Sequence, residues 1–135
     1  MKIFVYSASL REDSVNLKLS KLIANVAEAN GAEVDFARIN EFDMPMYNFD
    51  DQQSSGVPAG AQALAERITA ADGMILTSPE YNWLPPATIK NAVDWLSRMQ
   101  PMPLDLPCAH RRKCAGPDMQ SQLPGFDPPG SGRIE

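Results

Sequence analysis

The chain is short of several things, and each shortage removes a class of function. Nowhere in its 135 residues does an apolar run approach the roughly 18 residues that a transmembrane helix needs. The first residues enter an apolar segment directly, without the basic and then apolar regions of a secretory signal, so the expectation is a cytoplasmic protein with no membrane partner. Basic residues are outnumbered, with 12 Lys and Arg against 17 Asp and Glu and a net charge of −5. An acidic body is repelled by phosphate backbones and anionic lipid, which argues against nucleic acid as a partner. Cysteine and histidine are scarce. Cys108, His110 and Cys114 form a Cys-x-His-x3-Cys cluster, but three ligands in so short a loop do not match the usual zinc spacings, and no metal is expected. Also missing are the Gly-x-Gly-x-x-Gly of dinucleotide folds and the Gly-Lys-Ser/Thr of nucleotide triphosphatases.

What is present reads as one α/β domain. Hydrophobic residues make up 44% of the chain, enough for a single core. Residues 2 to 6 are nearly all apolar, as in a strand covered on both faces. A helix should start near Ser14, since Val15, Leu19, Leu22 and Val26 fall on one helical face, and Gly31 supplies the left-handed residue that ends it. Residues 33 to 39 alternate Val34 and Phe36 with Glu33 and Asp35, the pattern of a half-exposed edge strand. Residues 40 to 57 read as a long polar loop. A second helix begins at Pro58, with Ala61, Leu64, Ala65 and Ile68 at helical spacing, and a third strand covers residues 73 to 77. A third helix follows Pro85 and Pro86, with Ile89, Ala92, Val93 and Leu96 inside. The order βαβαβα predicts a doubly wound parallel sheet with helices on both faces.

Two loops at strand ends carry the chemistry. After the first strand comes Ser7-Ala8-Ser9-Leu10-Arg11-Glu12-Asp13-Ser14-Val15-Asn16. A phosphate there would meet the unpaired N–H groups at the positive end of the helix dipole, hydroxyls from Ser9 and Ser14, the Asn16 amide and the Arg11 guanidinium. A monophosphate suits it better than a longer phosphate chain. The alternative is that Ser14 merely caps the helix and Arg11 is a solvated charge. After the third strand comes Ser78-Pro79-Glu80-Tyr81-Asn82, which can lay backbone amides and the Tyr81 ring beside a flat heterocycle. It can equally be a structural turn with Tyr81 plugging the core. Glu80 reads as a solvated charge or an ion-pair partner rather than a general acid, because no second titratable group stands near it in the sequence.

With both loops in view, residues 1 to about 100 resemble the NAD(P)H-dependent FMN reductase family, whose members include quinone, chromate and azo-dye reductases. Ser9, Arg11, Ser14 and Asn16 match the family's Ser-Leu-Arg-x-x-Ser-x-Asn phosphate loop. Pro79, Glu80, Tyr81 and Asn82 match its ring-contacting loop, and Lys90-Asn91-Ala92-Val93-Asp94-Trp95 is similar to the helix that follows. The resemblance implies a flavodoxin-like sheet ordered 2-1-3-4-5 with FMN at the switch point between strands 1 and 3. Ser9, Arg11, Ser14, Val15, Asn16, Pro79, Glu80, Tyr81 and Asn82 would hold the FMN, and no protein side chain would be catalytic. NAD(P)H would be the co-substrate, a quinone, free flavin or other small molecule the electron acceptor, and a homo-oligomer, commonly a dimer, the assembly.

The sequence departs from the family in two places. Trp83-Leu84 stands where small or hydroxyl residues such as Gly-Ser are usual. From about Asp105 the family's fourth and fifth strands are not legible: the last 35 residues carry 7 of the 12 prolines and 4 of the 8 glycines. The division expected is therefore a flavodoxin-like FMN-binding domain at 1–104 and an irregular tail at 105–135, with strands 4 and 5 missing and strand 3 left as an open edge. A shifted reading frame is one origin for such a tail. Against the oxidoreductase stands a reading as a non-catalytic flavodoxin-like binding or interaction protein with a partial flavin site.

Overall fold

The computed structural model describes residues 1–104, so the expected tail, with Cys108, His110 and Cys114, lies outside the described residues. Strand β1 (Lys2–Ser7) lies between β2 (Glu33–Arg38) and β3 (Gly73–Thr77) in a parallel sheet of order β2-β1-β3. Helix α1 (Val15–Ala29) joins β1 to β2 and packs against all three strands. Helices α3 (Ala59–Thr69) and α4 (Ala87–Leu96) pack together on the other face. The pleat sends alternate residues of a strand to opposite faces. Phe4, Tyr6 and Ala8 accordingly join Leu64, Ile68, Ala92 and Leu96 in the main core.

Three local readings of the sequence need correcting. Residues 40 to 57 are not one polar loop: a 3-10 turn at Ile39–Glu41 and a short helix α2 (Phe49–Ser55) interrupt them. The Asn48 side chain caps α2 by accepting from the Asp50 N–H at 3.1 Å, and Asp50 and Asp51 sit in its first turn, where the dipole favours negative charge. Because α2 buries no side chain, it has no apolar period to detect. On α1 the apolar stripe of Val15, Leu19, Leu22 and Val26 points outward, Val15 being 78% exposed. The buried residues are Leu17, Ser20 and Ala24, two of them small, which lets the helix approach the sheet closely. On α4, Val93 is exposed while Asn91 and Trp95 are buried with Ala92 and Leu96.

The buried polar positions of α4 explain how the segment after β2 is fixed. Asn91 Nδ2 donates to the Pro45 carbonyl at 2.9 Å, and its Oδ1 accepts from the Tyr47 N–H at 2.7 Å. Trp95 Nε1 donates to the same Pro45 carbonyl at 2.8 Å. Gly60 completes the attachment, since a Cβ there would stand 2.1 Å from the Asp43 carbonyl oxygen. The helix motif thus clamps a connecting segment.

Arg67 ties α3 to β2. Its Nε donates to Asp35 Oδ2 at 3.1 Å, its Nη1 to Glu41 Oε2 at 3.1 Å and its Nη2 to the Phe36 carbonyl at 2.7 Å. The guanidinium also lies 5.2 Å from the Phe4 ring centre, a cation–π distance. The hydrogen bond from Arg67 holds the Asp35 carboxyl below its usual value. A lowered folded-state value means stability that is present above the unfolded value and lost as pH falls through the folded one. Asp35→Asn should therefore destabilise the protein by about 1–2 kcal/mol at neutral pH. Urea melts across pH should show that gap constant above 3.8 and shrinking at lower pH.

Candidate functional site

The two chemically loaded loops leave the sheet side by side because Ser7 of β1 is in register with Thr77 of β3. The Ala8 N–H donates to the Thr77 carbonyl at 2.9 Å, extending the pairing one residue past β1. Below the loops, the Ser20 and Thr77 hydroxyls hydrogen-bond to each other, and one of them donates to the Asn16 carbonyl, which lies 2.9 Å from Ser20 Oγ and 3.3 Å from Thr77 Oγ1. This buried knot joins the first turns of α1 to the end of β3, fixing one loop relative to the other.

The segment from Ala8 to Ser14 lacks internal backbone pairing. Among the described residues, no backbone N–H from Ser9 to Asn16 donates to a protein acceptor. Ser14 caps α1, accepting from the Leu17 N–H at a long 3.4 Å. Ser9 is buried, and so is Ser7, whose Oγ has no partner. An unpaired row of donors at a helix N-terminus, with two buried hydroxyls beside it, matches the needs of an anion. Arg11 is exposed and donates to the Asp13 carbonyl at 3.1 Å, so most of its donors remain free. Asn16 contributes its carbonyl to the Ser20–Thr77 knot, while Val15 is turned to solvent.

Arg38 holds this loop in place, a role the sequence reading missed. Its Nη1 donates to both carboxylate oxygens of Glu12, at 2.9 and 2.8 Å. It stands opposite Ser7 in the β1–β2 register, so the one signal available was its position in the strand pairing.

The second loop is a tight hairpin. The Tyr81 N–H donates to the Leu84 carbonyl at 2.9 Å and the Leu84 N–H to the Tyr81 carbonyl at 3.1 Å, while Asn82 and Trp83 both have positive φ, 53° and 66°. Two central residues of positive φ define a turn whose preferred pair is Asn-Gly. Asn82 suits it; Trp83, a bulky residue in left-handed backbone, costs roughly 1–2 kcal/mol. Tyr81 is half exposed and does not plug the core. Glu80 is exposed and makes no ion pair among the described residues.

The two loops enclose a cavity of about 230 Å³ lined by Ala8, Leu10, Tyr81, Pro86, Ala87 and Thr88. A second cavity of about 240 Å³ lies under Trp83, against Ser78, Pro79, Glu80, Leu84 and Pro85. A larger cavity, about 730 Å³, runs along α3 beside the C-terminal end of α4 and includes no residue of either loop. Size alone would favour that cavity, but the unpartnered donors converge on the loops, and donors are what orient a polar ligand.

Residues 1–116 match the family described as NADPH-dependent FMN reductase. The chain belongs to that family. The quinone reductase of Escherichia coli (strain K12) is 40% identical over 104 residues, covering 77% of this chain and 54% of that protein. The 2-hydroxy-1,4-benzoquinone reductase of Burkholderia sp is 39% identical over 98 residues, 73% of this chain and 51% of that protein. Among solved structures, the flavoenzyme NAD(P)H:(acceptor) oxidoreductase FerB from Paracoccus denitrificans superposes with a TM-score of 0.61 at 35% identity. That match covers 75% of this chain and 53% of FerB. The order β2-β1-β3 is the flavodoxin-like arrangement, with its switch point between β1 and β3. The chain spans about half the length of the curated relatives it matches.

Removing the buttress should loosen the first loop without unfolding the sheet. Arg38→Met deletes the ion pair between the largely buried Arg38 and the exposed Glu12, in which one Nη1 is shared by both carboxylate oxygens, worth about 1 kcal/mol or roughly fivefold in the population of the opened loop. Trypsin should cut after Arg11 about that much faster, with the thermal melt of the core little changed.

Proposed function

We propose that this protein binds FMN across the two loops and uses it to pass electrons from NAD(P)H to a quinone, a free flavin or another small acceptor. The observation that carries the proposal is the row of unpartnered N–H groups from Ser9 to Asn16, held beside the Tyr81 hairpin by the Ser7–Thr77 register. FMN, when bound, supplies the redox chemistry, accepting a hydride equivalent from one partner and delivering two electrons to the next.

The chain's own residues bind and orient. The N–H groups of the first loop and the hydroxyls of Ser9 and Ser14 hold the phosphate, with Asn16 as a further contact and Arg11 swinging from its Asp13 contact to add charge-assisted bonds. Val15 contributes only backbone, since its side chain is exposed. Pro79, Glu80, Tyr81 and Asn82 lie along the ring, with the Glu80 and Asn82 N–H groups as donors and the Tyr81 ring as an apolar wall. No side chain is required as acid or base, because the flavin carries the redox step.

A cytoplasmic site of action follows from the use of NAD(P)H, an intracellular reductant. A homo-oligomer, most simply a dimer, is supported by the edge of β3 that pairs with no strand among the described residues, and by the outward apolar stripe of α1. The same open edge, flanked by exposed Ile75 and Leu76, favours the second reading, a binding protein that associates without turnover. NAD(P)H oxidation with an added quinone separates the two.

The phosphate assignment predicts that FMN binds more tightly than riboflavin, read by flavin fluorescence; equal affinities would contradict it. Arg11→Ala should raise the dissociation constant for FMN about ten- to a hundredfold, the equivalent of about 1.5–3 kcal/mol for a charge-assisted bond, and leave riboflavin binding unchanged.

A further inference from the structure

Trp83 is out of place by two independent criteria. Its backbone has a φ of 66°, in the region that favours glycine, at a turn position where glycine is the preferred residue. Its side chain is 90% exposed, although tryptophan is a residue that normally buries most of its large surface. The indole neither fills the core nor caps a helix, and no hydrogen bond from its Nε1 is present among the described residues. An unfavourable backbone supporting an unburied aromatic is the arrangement expected where the side chain meets something outside the chain.

Its position says what that is. Tyr81 walls the cavity between the two loops, whereas Trp83, on the far side of the same hairpin, overhangs the second cavity against Pro79, Glu80 and Pro85. Pro79 and Glu80, part of the segment that lies along the ring in the flavin reading, line this second cavity together with the indole. The second cavity is bounded by Pro79, Leu84 and Pro85 carbons and the indole, with Ser78 and the acidic Glu80 also on its wall, so it suits a flat neutral molecule better than an anion. Two prolines following Leu84 restrict the hairpin stem, so the indole is carried on a stiff support.

We propose that Trp83 is a specificity-determining residue that stacks on planar aromatic electron acceptors, selecting quinones over small non-aromatic oxidants. The inference rests on the flavin reading above. The overall reaction it concerns is balanced as NAD(P)H + H⁺ + quinone giving NAD(P)⁺ + hydroquinone, and Trp83 takes part only by binding.

The test uses Trp83→Gly, which suits the left-handed backbone and so should fold, together with Trp83→Phe, which keeps an aromatic face. FMN affinity is measured first for each protein. Then 1,4-naphthoquinone is titrated into the oxidised, FMN-loaded protein without NAD(P)H, followed by flavin absorbance, and steady-state rates are taken with the same quinone and with ferricyanide. The expected result is a melting temperature for Trp83→Gly equal to or above wild type and an unchanged FMN affinity. Its quinone dissociation constant and KM should be raised about tenfold, its ferricyanide rate unaltered, and Trp83→Phe should recover most of the loss. Equal quinone affinity in wild type and Trp83→Gly would overturn the proposal, as would a change in oligomeric state with no change in quinone affinity, which would assign the indole to a partner chain. Failure of all three proteins to bind FMN would instead overturn the functional reading, and this inference with it.

Discussion

The pairing of β1 with β3 is the constraint on which the rest of the site depends. Parallel strands in register release their following loops at the same end of the sheet, and here the last pair is Ser7 with Thr77. One loop continues into a helix N-terminus rich in free donors; the other turns back on itself and offers a ring and amides. Neither loop alone would define a ligand. A shift of the register by one residue would exchange the faces of every β3 side chain and draw Thr77 away from Ser20, so the hydroxyl knot beneath the loops both reports the register and helps to hold it.

Much of the fold was legible because its elements carry strong periodic signals. The strand at 73–77 and the helix from Pro58 are where the apolar spacing put them, and Ala92 and Leu96 are inner residues of the last helix as their spacing implied. What was misread shares a physical cause. An apolar stripe reveals that a helix has two faces but not which one the sheet covers. On α1 the covered face is made of Leu17, Ser20 and Ala24, where close approach and one hydroxyl bond replace bulk hydrophobic contact. Helix α2 was invisible because it rests on a cap and dipole-favoured acids. In the site, the hydroxyls and free N–H groups of the first loop were recognisable from its sequence, whereas the role of Arg38 was not, since its partner Glu12 is 26 positions away and only the strand pairing joins them.

The chain also shows a sheet at an unusual stage of closure. Strand β1 is buried on both faces, as a central strand should be, but β3 has Ile75 and Leu76 exposed on opposite faces and a free edge among the described residues. In the flavodoxin-like order a further strand would lie against that edge. The matched relatives are about twice as long as the matched region, so they have ample chain for the task. Unpaired backbone groups and apolar carbons at one edge favour association with another strand, whichever chain carries it. The loop after β1 lies on the opposite side of β3 from that edge and is braced from β2 through Arg38, so its geometry does not depend on what covers β3.

The claim that one ligand spans both loops is tested most directly by following backbone amide resonances of the isotopically labelled protein during an FMN titration. The account predicts that shifts concentrate at residues 9–16 and 79–83 and saturate together with a single dissociation constant. Shifts centred instead on the large cavity lined by Glu66, Thr69, Arg98 and Met99, with the two loops unmoved, would contradict it.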